Sequence, residues 1–275
     1  SGNYEQAVEI PSPVDESITL QIRIIPYAGN RRLLIARDMT RIQKMQRTRQ
    51  DFVANVSHEL RTPLTVISGY LETLLDAPEC RGEFEPQLHS MQTQTRRMNR
   101  IVEDLMLLSR LESEKPRVDA DPVQVGRMIE SIVLQARELS GLEHQIIEAD
   151  VDGDLCIEGR ESELYSAFSN LVFNAVRYTP AGGRIKVSWH DSENGPRFAV
   201  TDSGVGVEAH HIPRITGRFY RVDAGRSRAR GGTGLGLAIV KHVLLRHQSA
   251  LEIDSEPGVG STFSCVFAPE HRVAC

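Results

Sequence analysis

The segment Ser57-His58-Glu59-Leu60-Arg61-Thr62-Pro63-Leu64 sets a histidine beside a carboxylate inside an apolar repeat of helical period. His58 stands two positions from both Val56 and Leu60, a turn of about 200° on a helical wheel, so it points away from their seam and into solvent. An exposed imidazole next to Glu59 suits nucleophilic use: the carboxylate holds one ring N–H and leaves the other nitrogen free to attack. Thr62, four residues on, shares that face. Pro63 has no N–H to give to the carbonyl of Glu59, so the helix should bend or loosen beside the histidine. A His-Glu-x-x-His zinc site would need a histidine where Thr62 stands, and that reading fails. Alone, the segment also reads as ordinary polar helix surface.

Two further clusters lie downstream. Asp202-Ser203-Gly204-Val205-Gly206 follows a strand-like run, and Gly231-Gly232-Thr233-Gly234-Leu235-Gly236-Leu237 opens a helix. Glycines at a helix N-terminus let backbone N–H groups approach phosphate oxygens, and the helix dipole favours anions there. The chain has no Walker A string, and its glycines lack the Rossmann spacing that marks a dinucleotide site. Asn170 and Asn174 share a helix face, with Arg177 and Tyr178 following. Amide oxygens are hard donors suited to Mg2+, which keeps waters and binds substrate phosphates, and Arg177 can neutralise phosphate from the same helix. Each cluster has a plainer reading as well: a glycine turn, a loop cap at Asp202, a polar helix surface.

Elements must position these residues. Residues 1–37 read as short strands, with Ile18, Leu20, Ile22 and Ile24 alternating and Leu33 to Ala36 following a turn at Gly29-Asn30. Such strands lack a covering helix and look like the end of a larger domain. From Thr40 to Ala77, residues including Ile42, Met45, Phe52, Leu60, Ile67 and Leu74 recur at helical steps, and a second helix runs from Glu85 to Glu112. The two form an antiparallel hairpin whose broad apolar faces one pair cannot bury, which predicts a homodimeric four-helix bundle. After a linker at Lys115-Pro116, a helix opens at Asp121-Pro122. Strands near 144–150 and 155–158, a helix at 161–178 and strands at 184–190 and 197–202 follow. An irregular stretch at 203–233, a helix at 234–246 and a hairpin at 250–267 complete an α/β sandwich.

Composition narrows the class. With 40% hydrophobic and 25% charged residues the chain is globular, and a net charge of −5 gives no global attraction to nucleic acid or acidic membranes. No apolar run approaches the roughly 18–20 residues that cross a bilayer. The start, Ser1-Gly2-Asn3-Tyr4-Glu5, lacks signal-peptide character and an initiator Met, so a soluble, cytoplasmic piece of something longer is expected. Cys80, Cys156, Cys265 and Cys275 show no CxxC spacing, so neither a zinc site nor a disulfide framework is expected.

In their order, the clusters resemble the motifs of the sensor histidine kinases of two-component systems. Residues 57–64 are similar to the family's H box, Asn170 through Pro180 to its N box, and Asp202 to Gly206 to its first glycine box. Arg218-Phe219-Tyr220-Arg221-Val222-Asp223 resembles the F box, Gly232 to Leu237 the second glycine box, and Gly258 to Thr262 a further glycine motif. Within the family, His58 to Tyr70, Ile212 to Thr216 and Arg218 to Lys241 are similar to sensors of the phosphate regulon. Arg37-Asp38-Met39-Thr40 resembles the end of a PAS domain. The resemblance implies an α plus α/β architecture in three parts. Residues 1–38 would be a PAS-like remnant, 39–115 a dimerisation and phosphotransfer hairpin, and 116–275 an ATP-binding domain of the GHKL (Bergerat) type.

The implied reaction is ATP-dependent phosphorylation of His58, then transfer to an aspartate of a PhoB-like response regulator receiver domain. Glu59 would orient the imidazole, and Thr62 would position water for dephosphorylating the regulator. Asp202 would accept the adenine amino group, Gly204 and Gly206 would admit the base, and Asn174 would hold Mg2+ beside Asn170, Arg177 and Tyr178. Gly232, Thr233, Gly234, Leu235, Gly236, Leu237 and Thr262 would line the nucleotide site, with Arg221, Arg226 and Arg228 as lid cations. The implied partners are a second copy of the chain and the regulator; a membrane would be met only through an absent N-terminal segment, anchoring the full-length protein in the bacterial inner membrane. Two residues depart from the family pattern: Gly217 stands where many relatives have Glu, and Arg177 replaces the commoner Lys. Two rival readings remain open, an ATP-gated protein of the Hsp90-like kind without phosphohistidine, and a phosphatase-dominated scaffold.

Overall fold

The computed structural model describes residues 7–27, 31–77, 82, 84–113, 121–222 and 232–275. The chain divides into two compact units, 1–56 and 57–275. In the first, β1 (Val8–Pro11), β2 (Thr19–Tyr27) and β3 (Arg31–Asp38) form an antiparallel meander, with Ile22 opposite Val8 and Ile24 opposite Leu34. Asp38 then accepts the Thr40 N–H at 2.8 Å, satisfying a first-turn donor of α1 (Thr40–Asp76).

The second unit holds the rest of α1, then α2 (Glu85–Ser113). The stripe buried on α1 is narrow: Ser57, Leu64 and Leu71, at seven-residue spacing. On α2 it comprises Thr95, Val102 and Met106, and the Met106 sulfur lies 3.0 Å from the Arg61 guanidinium. Leu60, Ile67 and Leu74, expected in the seam, are exposed, as are Met91 and Met98 on α2. One hairpin covers one stripe, and the second apolar face of each helix stays uncovered.

The α/β sandwich follows. Its sheet, in the order β5-β7-β8-β10-β9, comprises β5 (Ile146–Val151), β7 (Arg184–Ser192), β8 (Gly195–Asp202), β9 (Ala250–Glu256) and β10 (Gly260–Val266). β5 and β7 run parallel and the other pairs antiparallel. Helices α3 (Val125–Ser140), α4 (Glu161–Tyr178) and α5 (Gly236–Arg246) supply the other layer. Between them lies one apolar core in which Phe168 of α4 stacks on Phe198 of β8 at 4.1 Å, beside Trp189 and Phe267. Leu108 and Leu111 at the end of α2 are buried in the same core, so the second hairpin helix packs directly on this domain.

Two expectations are corrected here. Asp121 and Pro122 do not open a helix: they lie in β4 (Asp121–Val123), the edge strand of a small sheet ordered β11-β6-β4, with β6 at Cys156–Gly159 and β11 at Arg272–Val273. An edge strand tolerates proline's missing N–H, and α3 begins only at Val125. The cysteines are not all free: β11 pairs with β6 through Val273 and Cys156, which brings Cys275 to a Cα separation of 5.5 Å from Cys156, and the two form a disulfide. Cys265 is free and buried. Among the described residues, no helix is long and apolar enough to cross a membrane.

Candidate active site

His58 sits in the middle of α1 with its side chain exposed, next to the buried Ser57, and Glu59 and Thr62 are exposed beside it. His58 and Glu59 make no hydrogen bond to one another. Pro63 lies within the helix one residue after Thr62.

Several of the remaining candidates converge around a partly open cavity of about 230 Å³ between α4, the end of β8 and the segment 205–222. Asn174 and Tyr178 reach it from α4, one turn apart. Asp202, at the end of β8, is 7% exposed; its Oδ1 accepts the Gly204 N–H at 2.8 Å. Burial pushes this carboxyl above the usual carboxylate range, opposed by hydrogen bonds from the Gly204 and Ser261 backbones. Ile215, Leu237 and Phe263 give the cavity apolar walls. A buried acceptor among apolar side chains fits a flat heterocycle that carries a donor.

Two of the glycines here make close approaches that a side chain would disturb. Gly206 has φ +68°, and a Cβ there would strike the Glu256 carbonyl. At the first residue of α5, a Cβ on Gly236 would meet Asn170 Oδ1, so this glycine lets the second glycine motif pack against the asparagine helix. Asn170 itself donates to the Ser166 carbonyl at 2.7 Å and belongs to that packing, outside the cavity wall.

The cationic side lies near Gly232, where Arg177, Arg221 and the Tyr178 hydroxyl gather. Arg177 donates to Asn174 Oδ1 at 3.1 Å, and burial lowers its pKa while the charge of Asp104 opposes that shift. Asp104 comes from α2. Thr233 Oγ1 donates to its Oδ2 at 2.8 Å, and burial raises this carboxyl too, against the Thr233 hydrogen bond and the charges of Arg100 and Arg177. Further along α2, Glu112 pairs with Arg218 and lies 3.3 Å from the His242 imidazole on α5. Burial lowers the His242 pKa, and the neighbouring charge of Glu112 opposes that shift.

Gly204, Gly232, Thr233, Gly234 and Leu235 shape the turns around the cavity, while Gly206, Arg221 and Leu237 line it. Thr262 does not: in β10 it stands opposite Thr201, whose hydroxyl is 3.0 Å away, on the face turned from the cavity. Strand alternation sends its neighbours Ser261 and Phe263 to the wall instead. Arg226 and Arg228 lie outside the described residues. Ile215, Tyr220, Asp104 and Glu112 were not among the expected site residues; the two-residue period about Thr262 was the available signal for Phe263, but nothing local marks the α2 carboxylates.

Comparison with known proteins agrees with this arrangement. The family model for the His Kinase A (phospho-acceptor) domain matches residues 48–114, and that for the histidine kinase-, DNA gyrase B- and HSP90-like ATPases matches residues 159–271. The phosphate regulon sensor protein PhoR of Pseudomonas aeruginosa is 50% identical over 97% of this chain and 60% of its own length. PhoR of Haemophilus influenzae is 39% identical over 90% of this chain and 58% of its own. The chain thus spans about three fifths of the length of these relatives. Among solved structures, full-length ShkA in complex with AMPPNP superposes with a TM-score of 0.68 at 25% identity, covering 82% of this chain and 47% of that one. With a phospho-acceptor hairpin followed by an ATPase-type domain, and half of its residues shared with PhoR, the chain belongs to the sensor histidine kinases of two-component systems and is PhoR-like.

Proposed function

We propose that the chain phosphorylates itself on His58 from Mg-ATP, passes the phosphoryl group to an aspartate of a PhoB-like response regulator in phosphate signalling, and also dephosphorylates that regulator. The carrying observation is the pairing, in one chain, of a solvent-exposed His58 on a continuous helix with a cavity lined by the buried Asp202. Asp202 would accept the amino N–H of adenine, an interaction guanine's carbonyl cannot make. Ile215, Leu237 and Phe263 would hold the ring and exclude water. Arg177 and Arg221, beside the Gly232 turn, would take the phosphate charge.

Magnesium fits in one form only. Among the described residues no group of three or more His, Cys, Asp or Glu side chains could hold a metal, so the ion would arrive on the triphosphate, with the Asn174 amide oxygen as its protein donor. Held by Asn174, the ion would supply positive charge against the phosphates, adding to that of Arg177 and Arg221. Asn174 Oδ1 meanwhile accepts from Arg177, which orients the amide. His58 would attack in line with one ring nitrogen while Glu59 takes the proton of the other; Thr62 would orient the water of the reverse activity. Residues 39–115 would dimerise, since a second hairpin would cover the exposed Leu60, Ile67 and Leu74. Residues 116–275 would be the ATP-binding part, 1–38 the end of a PAS-like sensor domain, and the membrane anchor would belong to the length of the relatives that this chain does not span.

Incubation with γ-labelled ATP and Mg2+ tests the reading. Label on the wild type should be acid-labile and base-stable, and His58→Gln should abolish it. Nucleotide binding with no label on either protein would sink the kinase and favour the phosphatase-dominated scaffold.

A further inference from the structure

Residues 205–222 contain neither helix nor strand, yet Val207, Ile215 and Tyr220 from this segment line the cavity. Something must hold their shape. The His211 carbonyl accepts the N–H groups of Arg214 at 2.8 Å and Ile215 at 3.0 Å, a turn that drives Ile215 inward. Its side chain reaches forward, and Nδ1 lies 2.6 Å from the Tyr220 hydroxyl. The Arg214 guanidinium lies over the Tyr220 ring, 4.7 Å from its centroid. The chain doubles back at Gly217, whose N–H donates to the Arg214 carbonyl at 2.8 Å; a Cβ there would stand 2.9 Å from that oxygen. The His210 ring lies 3.8 Å from that of His211, tilted by 42°, and its Nδ1 is 3.3 Å from Glu208, so His210 packs against the imidazole.

We propose that His211 is a positioning residue for the nucleotide: through the Tyr220 hydroxyl it fixes the tyrosine, and through its carbonyl Ile215, as one wall of the cavity. It does not line the cavity, so its effect passes entirely through those two neighbours. This rests on the cavity being the nucleotide site. A wall residue held by a hydrogen bond sets how tightly the substrate is bound and leaves the transfer step alone, because the reacting phosphate is handled elsewhere.

The test uses the full chain, with binding of a fluorescent ATP analogue and autophosphorylation kinetics measured side by side. His211→Ala should weaken binding and raise the ATP KM by about five- to tenfold, the worth of one net hydrogen bond, with kcat within about twofold. His211→Asn keeps a polar atom on the carbon that carries Nδ1 and should restore most of the loss; His211→Leu should not. Tyr220→Phe should match His211→Ala, and the double variant should be no worse than either. Equal loss in the Asn and Leu variants, additive losses in the double variant, or a fall confined to kcat would overturn the assignment. If the wild type binds the analogue and His211→Ala binds it equally well, this inference alone fails. A wild type that binds no nucleotide removes the reading of the cavity, and this inference with it.

Discussion

In the proposed site, Asp202 would serve binding at a cost to folding. Its carboxyl is held above the ordinary carboxylate range chiefly by burial. A group raised in this way contributes stability that is complete below the unfolded pKa and is lost as pH rises through the folded value. Nucleotide affinity should run the other way, because the ionised carboxylate is the stronger acceptor for the adenine amino group. Affinity should therefore fall on acidification, beginning at a higher pH than an ordinary aspartate would cause. Asp202→Asn should remove that pH dependence, weaken analogue binding by roughly tenfold, and raise the urea midpoint at neutral pH. A variant that bound the analogue as tightly as the wild type would end the adenine assignment. Residue types and spacing were enough to single out Asp202 and Asn174, which line the cavity, and Arg177 beside them, because each sits where a local motif meets a strand or helix end. They were not enough for Thr262, where the glycine motif gives position along β10 and only the pleat decides which face a side chain takes.

Among the elements, α2 has two duties: its middle packs in the hairpin and its end is buried in the sandwich core. Asp104 and Glu112 add polar contacts from this helix to Thr233, Arg218 and His242. The Glu112 contacts are partly exposed, so each is worth at most about 1 kcal/mol. Glu112→Ala should thus speed hydrogen exchange in the first turns of α5 by about two- to fivefold without unfolding the domain; unchanged exchange there would mean that Leu108 and Leu111 hold the helix alone. The periodicity of both long helices was readable, and α4 begins and ends where its pattern does, at Glu161 and Tyr178. Asp121-Pro122 misleads because a cap-and-proline signal is local, whereas the partner that makes it a strand, β6, comes more than thirty residues later. The α2 contacts were hidden for a similar reason, since Asp104 and Thr233 are 129 positions apart.

Across the whole molecule, the disulfide ties the last residue of the chain to β6, 119 positions earlier. A cross-link closing so long a loop typically contributes about 2–4 kcal/mol by restricting the unfolded chain. Cys275→Ser should lower the unfolding free energy by that amount in oxidising buffer and leave it unchanged in reductant. Equal stability under both conditions would mean that the bond does not form in solution. Cysteine spacing could not reveal the pair, which depends on β11 returning beside β6. A different consequence follows from the continuity of α1, which runs from Thr40 to Asp76. A helix without a break is a phase carrier: every residue added upstream turns everything below it by about 100°. One residue inserted between Phe52 and Val53 would turn the exposed Ile42, Met45 and Phe52 by about 100° relative to Leu60, Ile67 and Leu74, whereas seven would bring them back to within about 20°. Dimerisation and His58 labelling should drop with the first insertion and return with the second, so that the angular offset of a stripe, and not its distance from His58, governs the kinase.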